Sequence, residues 1–202
     1  MFYELNLPTP NIEIIKLCYQ VANVCPINFD TLEEMQAVQD KQYNIASGSF
    51  VSNLDLEFEV LKQYSRYFSS RFKSTVGVLE NTQDTLACYP PHTDRSRLVS
   101  IDYYIEQGGS NVKTIMYNQF DSKDNRLGGS MKSYNDVKPL QEYIFEESKW
   151  YCTNSRQFRS VENIEHKRIL LSLSFYDKHF DQFINDNKHI LAGGTGFEPV
   201  DA

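Results

Sequence analysis

The hydrophobic period of the chain changes near residue 75, and this change constrains the fold more than any other feature. Before it, apolar residues recur at helical spacing, starting after the helix-initiating pair Thr9-Pro10. After it, short apolar stretches alternate with glycine-bearing and polar turns, a pattern typical of strands. Helices followed by many short strands indicate an α+β protein. Its strands should form a sandwich or barrel, because about seven strands must hide their edges.

The positions of individual elements follow from the same patterns. Besides the helix after Thr9-Pro10, we predict a second helix near 31–43 and a third that Asn53 caps. The polar, glycine-bearing stretch 121–138 is predicted to be a long loop. Strands are predicted at 97–106, 112–120, 149–153, 158–161 and 168–176.

Length indicates one main domain. The chain has 202 residues, and a typical domain has about 150. We predict a single domain over 1–180, in which 1–72 form mainly helical support and 75–178 form the β core. Residues 181–202, rich in glycine toward their end, are predicted to be a C-terminal tail.

The charge of the chain excludes some classes of partner. Its formal net charge is −7, and its basic residues form no stripe. This argues against sequence-independent binding of nucleic acid and against anionic membrane surfaces. The longest aliphatic run, Ile169 to Leu171, is far too short to span a bilayer. The oligomeric state has no signature in the sequence.

Cysteine usage and the first residues of the chain indicate a compartment. No two cysteines form a C-x-x-C pair, and a chain of this size does not need disulfide staples. The start of the chain lacks the basic and apolar regions of a signal peptide. We therefore predict a cytoplasmic protein with four free thiols, those of Cys18, Cys25, Cys88 and Cys152.

A metal-capable pair follows two prolines in the stretch Y-P-P-H-T-D-R, residues 89–95. The prolines restrict the preceding backbone to an extended conformation. On extended backbone, residues two apart point to the same face, so His92 and Asp94 can converge on one point. The spacing suits two ligands of a 2-His-1-carboxylate iron site. The simpler alternative is a histidine that hydrogen-bonds a neighbouring carboxylate, because H-x-D often occurs by chance.

Three segments in order resemble the 2-oxoglutarate/Fe(II)-dependent dioxygenase superfamily. They are P-H-T-D-R, the strand S-I-D-Y-Y-I leading to Gly-Gly, and S-V-E-N followed by K-R-I-L-L-S-L-S-F. The resemblance covers residues 85–176 and implies a double-stranded β-helix, or jelly roll. It implies that His92 and Asp94 are iron ligands and that Arg168 pairs with the distal carboxylate of 2-oxoglutarate. A guanidinium fork matches a carboxylate, although a strand-end arginine in solvent is the alternative.

The chain departs from the pattern of this superfamily at the third iron ligand. Arg159 stands directly before S-V-E-N, where the superfamily usually has histidine. Arginine has no lone pair to offer a metal, and its charge repels Fe(II). His166 lies beyond a predicted turn, and His179 and His189 are predicted to be surface residues.

Three explanations of this departure remain open. Iron could bind through two protein ligands with water or 2-oxoglutarate. The site could have lost iron and become a binding scaffold. Or the third ligand could lie elsewhere in the chain. If iron is absent, the Asp94 carboxylate needs another cation, and we predict that Arg159 contacts it.

The sequence therefore supports two hypotheses about function. The first is an oxygenase that uses Fe(II) and 2-oxoglutarate to hydroxylate a small molecule or a side chain that the sequence does not identify. The second is a metal-free or catalytically degenerate jelly-roll binding protein. The oxygenase hypothesis is favoured by His92, Asp94 and Arg168, whereas the binding-protein hypothesis is favoured by Arg159.

Overall fold

The computed structural model describes residues 2–24, 43–46, 49–52, 58–79, 89–94, 97–120 and 132–192. Within them lie eleven strands, three α-helices and two 3₁₀ turns. In chain order they are β1 (Phe2–Leu5), α1 (Ile12–Val24), β2 (Tyr43–Ala46), β3 (Ser49–Ser52), α2 (Phe58–Ser65), β4 (Lys73–Leu79), β5 (Tyr89–His92), β6 (Val99–Glu106), β7 (Lys113–Phe120), a 3₁₀ turn (Tyr134–Asp136), β8 (Pro139–Tyr143), β9 (Trp150–Asn154), β10 (Gln157–Glu162), β11 (Arg168–Phe175), α3 (Phe180–Asp186) and a second 3₁₀ turn (Lys188–Ile190).

The strands form two antiparallel sheets. The larger has the order β1-β9-β6-β11-β4-β3-β2, and the smaller has the order β5-β10-β7-β8. From β4 to β11 the chain passes repeatedly from one sheet to the other, so strands distant in sequence become neighbours, as in the pairs β6–β11 and β7–β10. This topology is a double-stranded β-helix. It confirms the predicted α+β jelly roll with an N-terminal helical segment.

Strand β11 shows how the sequence produces a sheet buried on both faces. Two sets of side chains alternate along it. The first set is apolar and consists of Ile169, Leu171, Leu173 and Phe175; the second consists of Arg168, Leu170, Ser172 and Ser174. The first set packs into the main core with α1, α2 and α3. Because side chains alternate across a strand, the second set points to the opposite face, into the space between the two sheets. The helices thus cover one side of the large sheet, and the other side is left to form a site.

The five predicted strands are confirmed, with ends that shift by two residues or fewer. The first third of the chain contains strands that were not predicted, besides the helices α1 and α2. Strands β1, β2 and β3 lie there, and β1 extends the large sheet beyond β9 while β3 and β2 extend it beyond β4. Strands β4, β5 and β8 were also not predicted. Four of the unpredicted strands, β1, β2, β3 and β5, have only four residues, too few to show a period of two, and pairing with a neighbouring strand decides their conformation.

The helix predictions have mixed outcomes. Helix α1 begins at Ile12, and the Asn11 side-chain oxygen accepts a hydrogen bond from the Ile14 amide at 2.9 Å, so Asn11 rather than Thr9 caps it. Helix α2 begins at Phe58, and its predicted cap Asn53 lies outside the described residues. The predicted helix at 31–43 also lies outside them, apart from Tyr43, which begins β2.

Two further sequence predictions concern segments that the structure describes in part. Residues 132–138 of the predicted loop contain the 3₁₀ turn Tyr134–Asp136, and the rest of that loop lies outside the described residues. In the predicted tail, Phe183 and Ile184 of α3 are buried in the core, and Leu191 forms a bridge with Leu5. The division into a domain and a tail stays a prediction.

The structure describes two of the four cysteines that were predicted to be free thiols. Cys18 and Cys152 are free, buried thiols, and burial raises the pKa of Cys18 to about 12. Cys25 and Cys88 lie outside the described residues. None of the helices in the described part of the chain is long and apolar enough to cross a bilayer.

Gly108 sits where the backbone passes closest to the start of β11. Its φ is +89°, and a Cβ at this position would lie 2.8 Å from the Cβ of Arg168 and 3.0 Å from the His166 carbonyl oxygen. Gly108→Ala is therefore expected to lower the free energy of unfolding by about 1–3 kcal/mol, because it adds a positive-φ penalty to a steric clash. Chemical denaturation measures this change. Ser110→Ala, at an exposed position nearby, is the control, and an equal effect of both would refute the explanation.

Candidate functional site

A cavity of about 120 Å³ lies between the two sheets. The large sheet contributes residues from β4, β6, β9 and β11, and the small sheet contributes residues from β5, β7 and β10. Its described lining is rich in ionisable side chains, which are His92, Asp94, Arg97, Asp102, Arg159 and Arg168. Charged groups are costly to bury without partners, so their arrangement indicates what the cavity can hold.

His92 and Asp94 both line this cavity, as their spacing predicted. His92 ends β5 and lies opposite Arg159 of β10 in the register of the small sheet. Asp94 follows β5, and its amide donates a hydrogen bond to the Ser155 carbonyl oxygen at 3.1 Å. The extended backbone therefore brings these two side chains together.

Two arginines bind the Asp94 carboxylate. Its Oδ2 atom accepts hydrogen bonds from Arg159 Nη2 at 2.5 Å and from Arg97 Nε at 2.6 Å. The predicted contact between Arg159 and Asp94 is thus confirmed. Arg97 was not predicted, and its Nη1 continues across the cavity to the hydroxyl of Ser172 on β11 at 2.8 Å. Asp94 therefore lies at the centre of a charged network that ties the end of β5 to β10 and β11.

The electrostatics of the network keep these groups ionised. Burial alone would raise the pKa of the Asp94 carboxyl. The charges of Arg159 and Arg97, helped by the hydrogen bond from Arg97 and by His92, instead hold that pKa well below its ordinary value. Burial alone would likewise lower the pKa of Arg97, but Asp94 and Asp102 raise it above its ordinary value.

The low pKa of Asp94 predicts how stability depends on pH. A carboxyl with a depressed folded-state pKa stabilises the protein above its unfolded pKa of about 4, and this contribution is lost as the pH falls toward the folded value. The stability gap between the parent and Asp94→Asn should therefore be constant above about pH 5 and shrink below about pH 4. Denaturation at a series of pH values measures it. A gap that stays constant down to pH 2 would contradict the assignment.

The residues that the structure describes do not fit an iron site. The described residues contain no group of three or more histidine, cysteine, aspartate or glutamate side chains that could hold a metal ion. The one carboxylate beside His92 already accepts from two guanidinium groups, and the third position carries Arg159. The other described histidines, at 166, 179 and 189, are exposed. Arginine cannot ligate a metal, and the second carboxylate of the described lining, Asp102, does not complete a group of three possible ligands with His92 and Asp94.

Arg168 points into the same cavity and is 1% exposed, which excludes the solvent-exposed alternative. Its guanidinium carbon lies 4.8 Å from the centre of the Tyr104 ring. Burial raises the pKa of Tyr104 to about 12, although the Arg168 charge partly opposes this shift. Arg168 is thus a buried cation stacked on a neutral phenol, and its role with 2-oxoglutarate stays a prediction.

Several buried polar atoms around the cavity have no hydrogen-bond partner within the described part of the chain. They are Arg168 Nε and Nη1, Arg159 Nη1, Thr114 Oγ1 and Thr153 Oγ1. An unpaired buried polar group costs about 1–3 kcal/mol, and folded proteins contain few. All five atoms belong to residues that line this one cavity, so a polar ligand bound there would lie beside side chains with unused hydrogen-bonding capacity.

Sequence reasoning missed part of this lining. Asp102, Tyr104 and Thr114 lie on β6 and β7, whose alternation was visible, but the sequence did not reveal which face of each strand would line a cavity. Arg97 carried a usable signal, because a cation three residues after Asp94 in a short connection can fold back onto that carboxylate.

No protein-family model matches the sequence, and no curated protein matches it. The fold is distantly similar to solved double-stranded β-helix structures of several kinds. One is the epimerase SnoN in complex with Fe3+, alpha ketoglutarate and nogalamycin RO, at 11% identity and a TM-score of 0.49, covering 99% of this chain and 88% of that one. Another is a Pseudomonas putida prolyl-4-hydroxylase, at 14% identity and a TM-score of 0.45, covering 87% and 91%.

Structures of a different kind are similar to a comparable degree. The coconut allergen cocosin has 12% identity and a TM-score of 0.38, covering 69% of this chain and 30% of that one. Likenesses this distant are reported for the fold alone. The function has to be argued from the residues of the cavity, because one fold supports many functions.

Proposed function

We propose that this chain is a metal-free jelly-roll protein that binds a small anion in the cavity between its sheets, and that it is a catalytically degenerate form of the 2-oxoglutarate/Fe(II) dioxygenase type. The observation that carries the proposal is the state of Asp94. Its Oδ2 atom accepts hydrogen bonds from both Arg159 and Arg97, so the carboxylate that would bind a metal binds two arginines instead.

The guanidinium of Arg159 supplies, beside Asp94, the positive charge that a metal cation would supply. It neutralises Asp94 through a short charged hydrogen bond from β10, the strand on which the resemblance places the third ligand. For iron to bind, Arg159 would have to leave Asp94, and the metal would then face two arginine charges. Both requirements oppose metal binding.

Anion binding follows from Arg168 and its surroundings. Within the described residues no carboxylate pairs with this buried cation, and two of its nitrogen atoms have no acceptor. A buried charge without a counterion is costly, and an anion that enters the cavity supplies the missing partner. The chain's own residues then bind and orient the anion between the two sheets.

An Fe(II)/2-oxoglutarate-dependent oxygenase is the second candidate. It is favoured by the position of His92, Asp94 and Arg168 around one cavity, in the arrangement that the resemblance implies. In such an enzyme iron and 2-oxoglutarate supply the oxidising chemistry, and the protein positions them. The candidate requires a ligand set that the described residues do not present.

Two assays on freshly purified chain separate the candidates. After treatment with a chelator, calorimetric titration with acetate, pyruvate and 2-oxoglutarate should show binding of at least one carboxylate without added metal. With Fe(II) and ascorbate supplied, 2-oxoglutarate should not be consumed above the rate without protein. Sustained formation of succinate would favour the oxygenase, and failure of every carboxylate to bind would refute the anion site.

A further inference from the structure

We infer that the cavity selects a short monocarboxylate with an oxygen on the carbon next to the carboxylate, that is, a small 2-oxo or 2-hydroxy acid, and that it discriminates against dicarboxylates. This inference rests on the proposed anion site and specifies its ligand. Charge, space and the placement of unpaired donors around the cavity all lead to it.

The charged side chains of the described lining leave one guanidinium without a counterion. Among these residues, three arginines face two aspartates, Asp94 and Asp102, so the arginine charges exceed the aspartate charges by one. Asp94 already pairs with Arg97 and Arg159, so the charge that lacks a counterion is on Arg168. A monoanion neutralises it. A dianion would leave an excess negative charge in a largely buried space, close to two aspartates.

The space is also small. The cavity of about 120 Å³ is slightly smaller than an engineered cavity of about 150 Å³ that holds one benzene molecule. A three-carbon acid such as pyruvate has as many non-hydrogen atoms as benzene. A longer diacid would exceed this volume and would have to extend toward the open side of the cavity.

The unpaired donors divide into two groups with different roles. Arg168 offers Nε and Nη1 beside a charge that lacks a counterion, which suits a carboxylate. Arg159 offers only Nη1, because its Nη2 is bonded to Asp94, and a single donor whose charge is already shared suits one neutral oxygen. The hydroxyls of Thr114 and Thr153 can donate or accept, so they fit a keto oxygen or a hydroxyl.

Arg159 therefore has two roles. Its Nη2 group donates a hydrogen bond to Asp94, and its Nη1 group donates to the second oxygen of the ligand. On this account the residue that excludes the metal is also the residue that determines specificity.

Calorimetry with the chelator-treated chain tests the inference. Pyruvate or lactate should bind about tenfold or more tightly than propionate, which has the same length but lacks the second oxygen. The better of the two should also bind about tenfold or more tightly than succinate and 2-oxoglutarate. Arg159→Lys keeps a cation near Asp94 but removes the Nη1 donor, so the preference over propionate should fall to about twofold or less. If circular dichroism shows that Arg159→Lys is unfolded, Thr114→Val, which removes a hydroxyl at nearly constant volume, should reduce the same preference.

The outcomes distinguish this inference from the proposal on which it rests. Succinate or 2-oxoglutarate binding as tightly as pyruvate would overturn the monocarboxylate assignment and leave the anion site intact. Equal binding of pyruvate and propionate by the parent would overturn the role of the second oxygen. Failure of all five acids to bind would overturn both. Arg66→Met, which removes an exposed cation, is the control and should bind all five acids as the parent does.

Discussion

Replacing Asp94 with alanine should lower the free energy of unfolding by about 3–5 kcal/mol, the range expected when one partner of a buried ion pair is removed. The Asp94 side chain is 16% exposed, and it neutralises two arginines whose side chains are 11% and 22% exposed. Without it, Arg97 and Arg159 would lie close together with their charges uncompensated. Urea denaturation at neutral pH measures the loss.

An exposed ion pair provides the matched control. Glu142 pairs with Lys113 at 2.9 Å, and its side chain is 55% exposed. Glu142→Ala should change the free energy of unfolding by no more than about 0.5–1 kcal/mol, because exposed pairs contribute little. If Asp94→Ala costs no more than Glu142→Ala, the Asp94 network does not hold the small sheet to the large one.

Replacing Arg168 with methionine should have opposite effects on stability and on binding. The substitution keeps an unbranched side chain over Tyr104 but removes a buried charge that lacks a counterion in the described structure. The free energy of unfolding of the ligand-free protein should therefore stay the same or rise by about 1–4 kcal/mol. Carboxylate binding should weaken by at least about 100-fold, since the charged hydrogen bonds to the ligand are lost.

This combination of effects distinguishes a binding residue from a structural one. A residue retained for function at a cost in stability behaves in this way, whereas a structural arginine would destabilise the protein when removed. Calorimetry and denaturation on the same preparation give both values. A variant that is less stable by several kcal/mol yet binds carboxylates normally would assign Arg168 a structural role.

The sequence predicted the β core because the long strands there carry their own pattern. Strand β11 alternates apolar and polar residues over its whole length, and its apolar set is the one that packs against the helices. The four-residue strands β1, β2 and β3 carry no such pattern. They are strands because the edges of the large sheet offer them hydrogen-bond partners, which is tertiary information.

The candidate site was predictable where local geometry determines it. The spacing of His92 and Asp94 on extended backbone was sufficient to place both in one cavity, and the need of a buried carboxylate for a cation led to Arg159. The contributions of Thr114 and Thr153 were not predictable. Each lies on a different strand, and only the registers of the two sheets bring the two residues to the cavity.

Anaerobic Fe(II) titration of the parent chain and of Arg159→His decides whether arginine has taken the place of the metal in this cavity. The parent should bind no Fe(II) at micromolar concentrations. Arg159→His should bind it measurably, because the substitution frees Asp94 from one arginine and adds an imidazole opposite His92. Tight, stoichiometric binding of Fe(II) by the parent would contradict the account.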